Sequence, residues 1–300
     1  MSKSKLKSAQ FSINECVKSI KVYSFASKAD MRLMLNRCIK DLHELGYQVG
    51  HINGLKPKHI HILVEHWKTQ DKNPATIKNY MAKLRKLSIL LDKPHLVKPD
   101  NDAYQISKRS YIPTHSKAIH QIDFSKCTDP MIQLSLEAQS LFGLRREESM
   151  KLVISDAWQG DCLKIKPSWT KGGIGRIVEI TNEEQRQWIA KTMQLVLPGH
   201  SLIPKNRTYK QHLSHYQVQT QNMGLSKCHG LRHAYAQRLY VELTKSFDVN
   251  GKGLICPING GKSSKNLKGH EREWDRSARE ILSRQLGHSR LGIIKTYCGK

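Results

Sequence analysis

The chain is short of paired cysteines, long apolar runs and acidic residues, and each shortage excludes a class of protein. No two of its seven cysteines (Cys16, Cys38, Cys127, Cys162, Cys228, Cys256, Cys298) form a CxxC pair, and their number is odd. That pattern argues against a zinc site and against a disulfide scaffold, so reduced, structural thiols are expected. No run of apolar residues approaches the length of a membrane span, and the start, MSKSKLKSAQF, lacks the apolar core of a signal peptide. A soluble protein of the cytoplasm, with no membrane partner, is expected. Asp and Glu number 25 against 50 Lys and Arg, a formal charge of +25, which is uncommon for a merely solvated surface.

What is present points to nucleic acid. A duplex is a dense line of negative charge, and a protein that neutralises many phosphates gains affinity by releasing their counterions. The excess is split nearly evenly, +12 over residues 1–110 and +13 over residues 111–300, so both halves are expected to touch a DNA backbone.

At 300 residues the chain can hold two domains with real cores. Helical spacing runs from Ser27 to Leu45 and stops at Gly46; Pro57 opens a helix through Trp67, and Asn73-Pro74 caps another that reaches Leu91. A shorter helix is expected over residues 11–23. The predicted helices of the first hundred residues carry Lys78, Lys83, Arg85 and Lys86, which either meet phosphates or form a solvated face. Pro94, Pro99 and Pro113 then mark a boundary, with a linker over residues 101–114. Helical patterns follow over 115–151. Residues 152–180 read as short strands with a turn at Gly172-Gly173, and helices resume over 182–196, 206–222 and 228–243. The predicted class is mainly α with a small antiparallel β-sheet.

Three motifs carry chemistry. They are Gly143-Leu144-Arg145, then His229-Gly230-Leu231-Arg232, then Leu286-Gly287-His288 with Tyr297 nine residues on. Each is weak alone. Together they supply a hydroxyl nucleophile, two guanidiniums whose planar forks match phosphate oxygens, and imidazoles to move protons. None of these needs a metal or a cofactor.

In this order the residues resemble those of the tyrosine recombinase, or phage integrase, family, from about residue 15 to the end. The resemblance implies a helical SAM-like core-binding domain over residues 1–100 and a mixed α/β catalytic domain over 115–300. It assigns the two arginines to Arg145 and Arg232, with Glu148 completing the family's R-x-x-E, and the hairpin lysine to Lys171 in WTKGGIGRIVEI. The central histidine is His229, the later one His288 and the nucleophile Tyr297. On this reading Tyr297 forms a 3′-phosphotyrosyl bond, Lys171 protonates the departing 5′ oxygen, His229 assists proton transfer and His288 bonds the phosphate. Double-stranded DNA is the implied partner, bound by a homotetramer on two sites. Arg146 and Arg176 compete for the cationic assignments, and His233 is expected to pack or orient beside the site.

Two features depart from the family pattern. Arg232 and His288 are separated by 55 residues, an excess over compact members that places an insertion at about residues 245–270. Its Gly/Lys-rich stretch GKGLICPINGGKSSKNLKGH reads equally as a flexible insertion or as a basic loop that contacts DNA or a neighbouring subunit. Only Cys298, Gly299 and Lys300 follow Tyr297, so the expectation is that coupling between subunits uses another element, that the chain is truncated, or that assembly is weaker. An amino-terminal arm-binding domain of any size is not expected. The alternatives are a type IB topoisomerase, which relaxes DNA without site preference, and a DNA-binding protein of the same fold that does not cut.

Overall fold

The structure is a computed structural model that describes residues 2–108 and 110–300. The chain divides into two compact units, Met1–Ser110 and Tyr111–Lys300. It is mainly helical with one small antiparallel sheet.

The first unit is built on helices α1 (Ser2–Lys18), α2 (Phe25–Glu44), α3 (Pro57–Thr69) and α4 (Pro74–Leu90). Proline opens α3 and α4, where its missing N–H costs nothing. Asn73 caps α4 by accepting the Ala75 N–H at 2.9 Å. Ile13, Leu35, Leu42, Leu63, Trp67 and Leu84 form the core, and the Trp67 indole donates to buried Asp41 at 2.9 Å. Helix α1 departs from the expected 11–23. Leu6 and Ala9 extend the apolar stripe of Ile13 and Val17 backward, and Ser24 caps α2, so the chain turns after Lys18. Residues 96–106, which overlap the linker expected over 101–114, also pack here, burying Leu96, Val97, Tyr104 and Ile106.

The second unit contains α5 (Pro130–Phe142), α6 (Arg146–Lys151), α7 (Ile154–Ala157), β1 (Cys162–Ile165), β2 (Arg176–Glu179), α8 (Glu183–Leu195), α9 (Tyr209–Asn222), α10 (His229–Phe247), α11 (Gly269–Gln285) and α12 (Lys295–Cys298). Strands β1 and β2 pair antiparallel with Leu163 opposite Val178 and Ile165 opposite Arg176. The period of two turns these four side chains inward and Lys164 and Ile177 outward. Helix α10 runs through the middle, packed by α5, α11 and α12, and is buried on nearly every face over Gly230–Leu239.

Two stretches differ from the sequence reading. Residues 115–129 are not helical. Asp123 bonds the Ser125 N–H at 2.9 Å and Ile119 N–H reaches Gly230 O at 3.0 Å, local and tertiary bonds that compete with a helix. Helix α11 was not expected, because its buried face includes the ion pair of Asp275 with Arg279 at 2.7 Å, which apolar periodicity does not register.

Candidate active site

Helix α5 ends at Gly143, whose φ of +60° turns the chain left-handed. A β-carbon there would lie 2.3 Å from the Tyr235 ring. The turn frees the Gly143 carbonyl to accept Arg232 Nη1, and it sends the chain on to Arg145 at the N-cap of α6.

His229 opens α10, and Arg232 and His233 follow three and four residues later, on the same face of the helix. Arg232 is 1% exposed. Its remaining groups reach the Leu286 carbonyl, His288 Nε2 at 3.3 Å and the Tyr297 hydroxyl, to which Nε donates at 3.2 Å. Burial brings even this guanidinium down to about 10, against the favourable field of the Tyr297 oxygen. Tyr297 comes from α12 and is 4% exposed, its oxygen 3.4 Å from His229 Nε2. The rings of His233 and His288 stand 4.6 Å and 5.6 Å from the Tyr297 ring. The hydroxyl thus has a guanidinium and one imidazole within 3.4 Å, and two further imidazoles stand beside the tyrosine ring.

Arg145 is set by Glu148, which accepts its backbone N–H at 2.7 Å and its Nη1 at 2.6 Å. Its Nη2 lies 3.5 Å from the Gly287 carbonyl. Glu148 is also gripped by Arg176 of β2, at 3.1 Å and 2.7 Å. Burial pushes the Glu148 carboxyl up, but the hydrogen bonds and charge of Arg176, and then those of Arg145, bring it down to about 2. Arg176 Nε donates to Gln285 O at 2.6 Å, so it joins the sheet, α6 and the end of α11. By sequence, Arg176 competes for the cationic assignments of the site. The rung opposite Ile165 turns it inward instead.

All three imidazoles are held toward the neutral form. Burial is the first cause in each, followed by Arg232 for His229 and His288 and by His229 for His233. His288 falls to about 3 and His233 to about 4. Neutral imidazole can accept a proton from a hydroxyl.

Lys171 stands apart from this cluster. It is exposed on the turn between β1 and β2, and lines a cavity of about 850 Å³ together with Arg145, His229, Arg146 and Lys227. The four α4 cations lie in the first unit. Lys83 pairs with Asp30 at 2.7 Å and Lys86 lies over the Tyr23 ring. Arg85 donates to Lys98 O, Asp100 O and Asn101 Oδ1 at 2.8–2.9 Å, so its guanidinium fastens residues 98–101, while Lys78 is half-buried. Among the described residues no group of three or more His, Cys, Asp or Glu is placed to hold a metal ion, and no helix is long and apolar enough to cross a membrane.

Comparison with known proteins follows the two units. Residues 15–92 match the phage integrase N-terminal family and residues 105–238 match the integrase family. The second match spans Arg145, Lys171, His229 and Arg232 and ends before His288 and Tyr297. Among solved structures, a lambda integrase dimer bound to a COC′ core site has a TM-score of 0.59 at 14% identity, covering 97% of this chain and 76% of that one. XerH site-specific recombinase bound to difH substrate gives 0.54 at 17% identity, covering 96% and 80%. The Tn1549 transposon integrase in complex with transposon right end DNA gives 0.52 at 12%, covering 97% and 94%. No curated protein matches the sequence. With one integrase domain matched in each part of the chain and the fold of solved integrases around it, the chain belongs to the tyrosine recombinase, or phage integrase, family.

Proposed function

We propose that the protein is a site-specific DNA recombinase, an integrase, that cleaves and rejoins double-stranded DNA through a 3′-phosphotyrosyl intermediate and so integrates, excises or resolves a mobile element. The observation that carries this reading is the placement of the Tyr297 hydroxyl, 3.2 Å from Arg232 Nε and 3.4 Å from His229 Nε2. A protonated phenol is a weak nucleophile, and here it meets a fixed cation and a neutral base without reorganisation.

In this mechanism the scissile phosphate sits between Arg145 and Arg232, whose N–H groups hold the non-bridging oxygens as charge builds there. Tyr297 Oη attacks phosphorus, its proton passes toward His229, and His288 donates to a phosphate oxygen. Lys171 gives a proton to the departing 5′ oxygen, a role suited to an ammonium on an exposed turn beside the same cavity. The phosphotyrosyl bond keeps the energy of the phosphodiester, and a 5′-hydroxyl from another strand reverses the attack. No nucleotide or metal enters the scheme. Residues 1–100 act as the core-binding domain, with Lys78, Lys83 and Lys86 toward phosphates, and four copies act on two sites in the cytoplasm.

The test is covalent capture. The protein is expressed in cells that carry its gene, lysed in detergent and purified under denaturing conditions, and the attached DNA is sequenced. Adducts at one or a few positions, absent from Tyr297→Phe, are expected. Adducts scattered without site preference would replace the recombinase with a topoisomerase, and none in a chain that binds DNA would replace it with a protein that does not cut.

A further inference from the structure

We infer that the segment joining α10 to α11 is a tether that sets the position of Tyr297, and that Asn259 and Gln237 are positioning residues for the reaction proposed above, on which this inference rests. The composition of residues 251–270 suggests a solvated loop. Its placement is different. The Asp248 carboxylate gathers the N–H groups of Asn250, Lys252 and Gly253 at 2.9–3.0 Å, which closes the turn out of α10. Thr244 Oγ1 accepts the Leu254 N–H at 2.9 Å. Cys256 is fully buried, and Leu267 is nearly so. The chain is therefore anchored at both ends of the segment and in its middle.

Between those anchors, the single turn Pro257–Asn259 lies against α12. The approach is so close that a β-carbon on Gly299 would stand 2.6 Å from the Ile258 nitrogen. Asn259 Nδ2 donates to Gln237 Oε1 at 3.0 Å, and Gln237 Nε2 donates to the Tyr297 carbonyl at 3.0 Å. Ser116 Oγ completes the Gln237 amide at 3.0 Å. A line of hydrogen bonds thus runs from the tether, through a buried side chain of α10, to the backbone of Tyr297. On the far side, Arg279 Nη1 donates to Gly299 O at 3.0 Å.

The device matters because α12 has four residues. A single helical turn has almost no stability of its own, so tertiary contacts decide where the Tyr297 hydroxyl points. A misplacement of about 1 Å in a reacting group can cost about a hundredfold in rate. Gln237 and Asn259 act on the backbone of Tyr297 and leave its hydroxyl free, which makes them positioning residues and not catalytic ones.

Two variants test this, Asn259→Ala, which removes the exposed donor, and Ile258→Ala, which trims the contact with α12. Lys262→Ala is the control, since Lys262 is exposed and pairs with Glu271. Amide hydrogen exchange is measured over residues 295–299 in the intact protein. Single-turnover adduct formation and affinity are measured on the DNA fragment recovered by covalent capture. The tether predicts exchange over 295–299 faster by about tenfold in both variants, with α5 and the first turns of α11 unchanged. It also predicts adduct formation slower by about tenfold at saturating DNA, with affinity as in the wild type and the control. Unchanged exchange, or an unchanged adduct rate in a variant whose tail exchanges faster, would overturn it. So would lost affinity with unchanged exchange, which marks a DNA-contacting loop. Faster exchange in a protein that forms no adduct even as wild type would leave the tether standing as a structural element and remove the recombinase reading.

Discussion

Glu148 binds two arginines with one carboxylate, and removing either arginine has a different consequence. Arg176→Ala leaves a buried carboxylate facing Arg145 alone and is expected to cost about 3 kcal/mol, read by denaturant unfolding. Arg176→Lys restores the charge without the bidentate fork and is expected to recover only part of it. The imidazoles give a pH dependence with a definite sign. His233 and His288 titrate at about 4 and about 3 in the folded chain, below their ordinary value near 6.5, so the unfolded chain binds more protons in between. Their contribution is complete above about pH 6.5 and is lost as the pH falls toward 4 and then 3. Glu148, lowered to about 2, adds a loss below about pH 4.5. Thermal unfolding across this range should show a falling midpoint, with a shallower fall in His288→Asn. At this scale the sequence was partly legible. Arg145, His229, Arg232, His288 and Tyr297 announce themselves by motif and order. Arg176 does not, because only the strand register separates an inward arginine on β2 from an exposed lysine on the adjoining turn.

At the scale of elements, caps were readable and mixed faces were not. Asn73-Pro74 places the start of α4 from local chemistry alone, whereas the end of α5 at Gly143 falls inside the helical pattern expected over 115–151. Gly143→Ala meets both a positive φ and the Tyr235 ring, and is expected to destabilise by about 2–3 kcal/mol, measurable by urea titration. It should also weaken the hold of the Gly143 carbonyl on Arg232. Helix α11 was hidden because a stripe containing Asp275 and Arg279 looks solvated until the two are seen paired. The same reason hid the tether, whose lysines and glycines mask the buried Cys256 and Leu267. Residues 115–129 depart in the opposite direction, since Ile119, Ile122 and Phe124 pack from irregular backbone against a cluster that includes Ile132, Leu136, Tyr216 and Leu231.

For the whole molecule the dominant quantity is charge, +25 in 300 residues with the excess in both units. If that charge meets phosphates, DNA affinity falls by about a thousandfold between about 50 and 200 mM salt. A fluorescence-anisotropy titration across that range checks it, and a loss under tenfold would place most of the charge away from DNA. The measurement that tests the central claim most directly is the identity of the bond itself. The captured adduct is digested with protease and nuclease, and the modified peptide is sequenced by mass spectrometry. The account predicts a peptide ending in Tyr297-Cys298-Gly299-Lys300 with the tyrosine joined to a nucleotide 3′-phosphate. A nucleotide attached to any other residue, or through its 5′-phosphate, would contradict it.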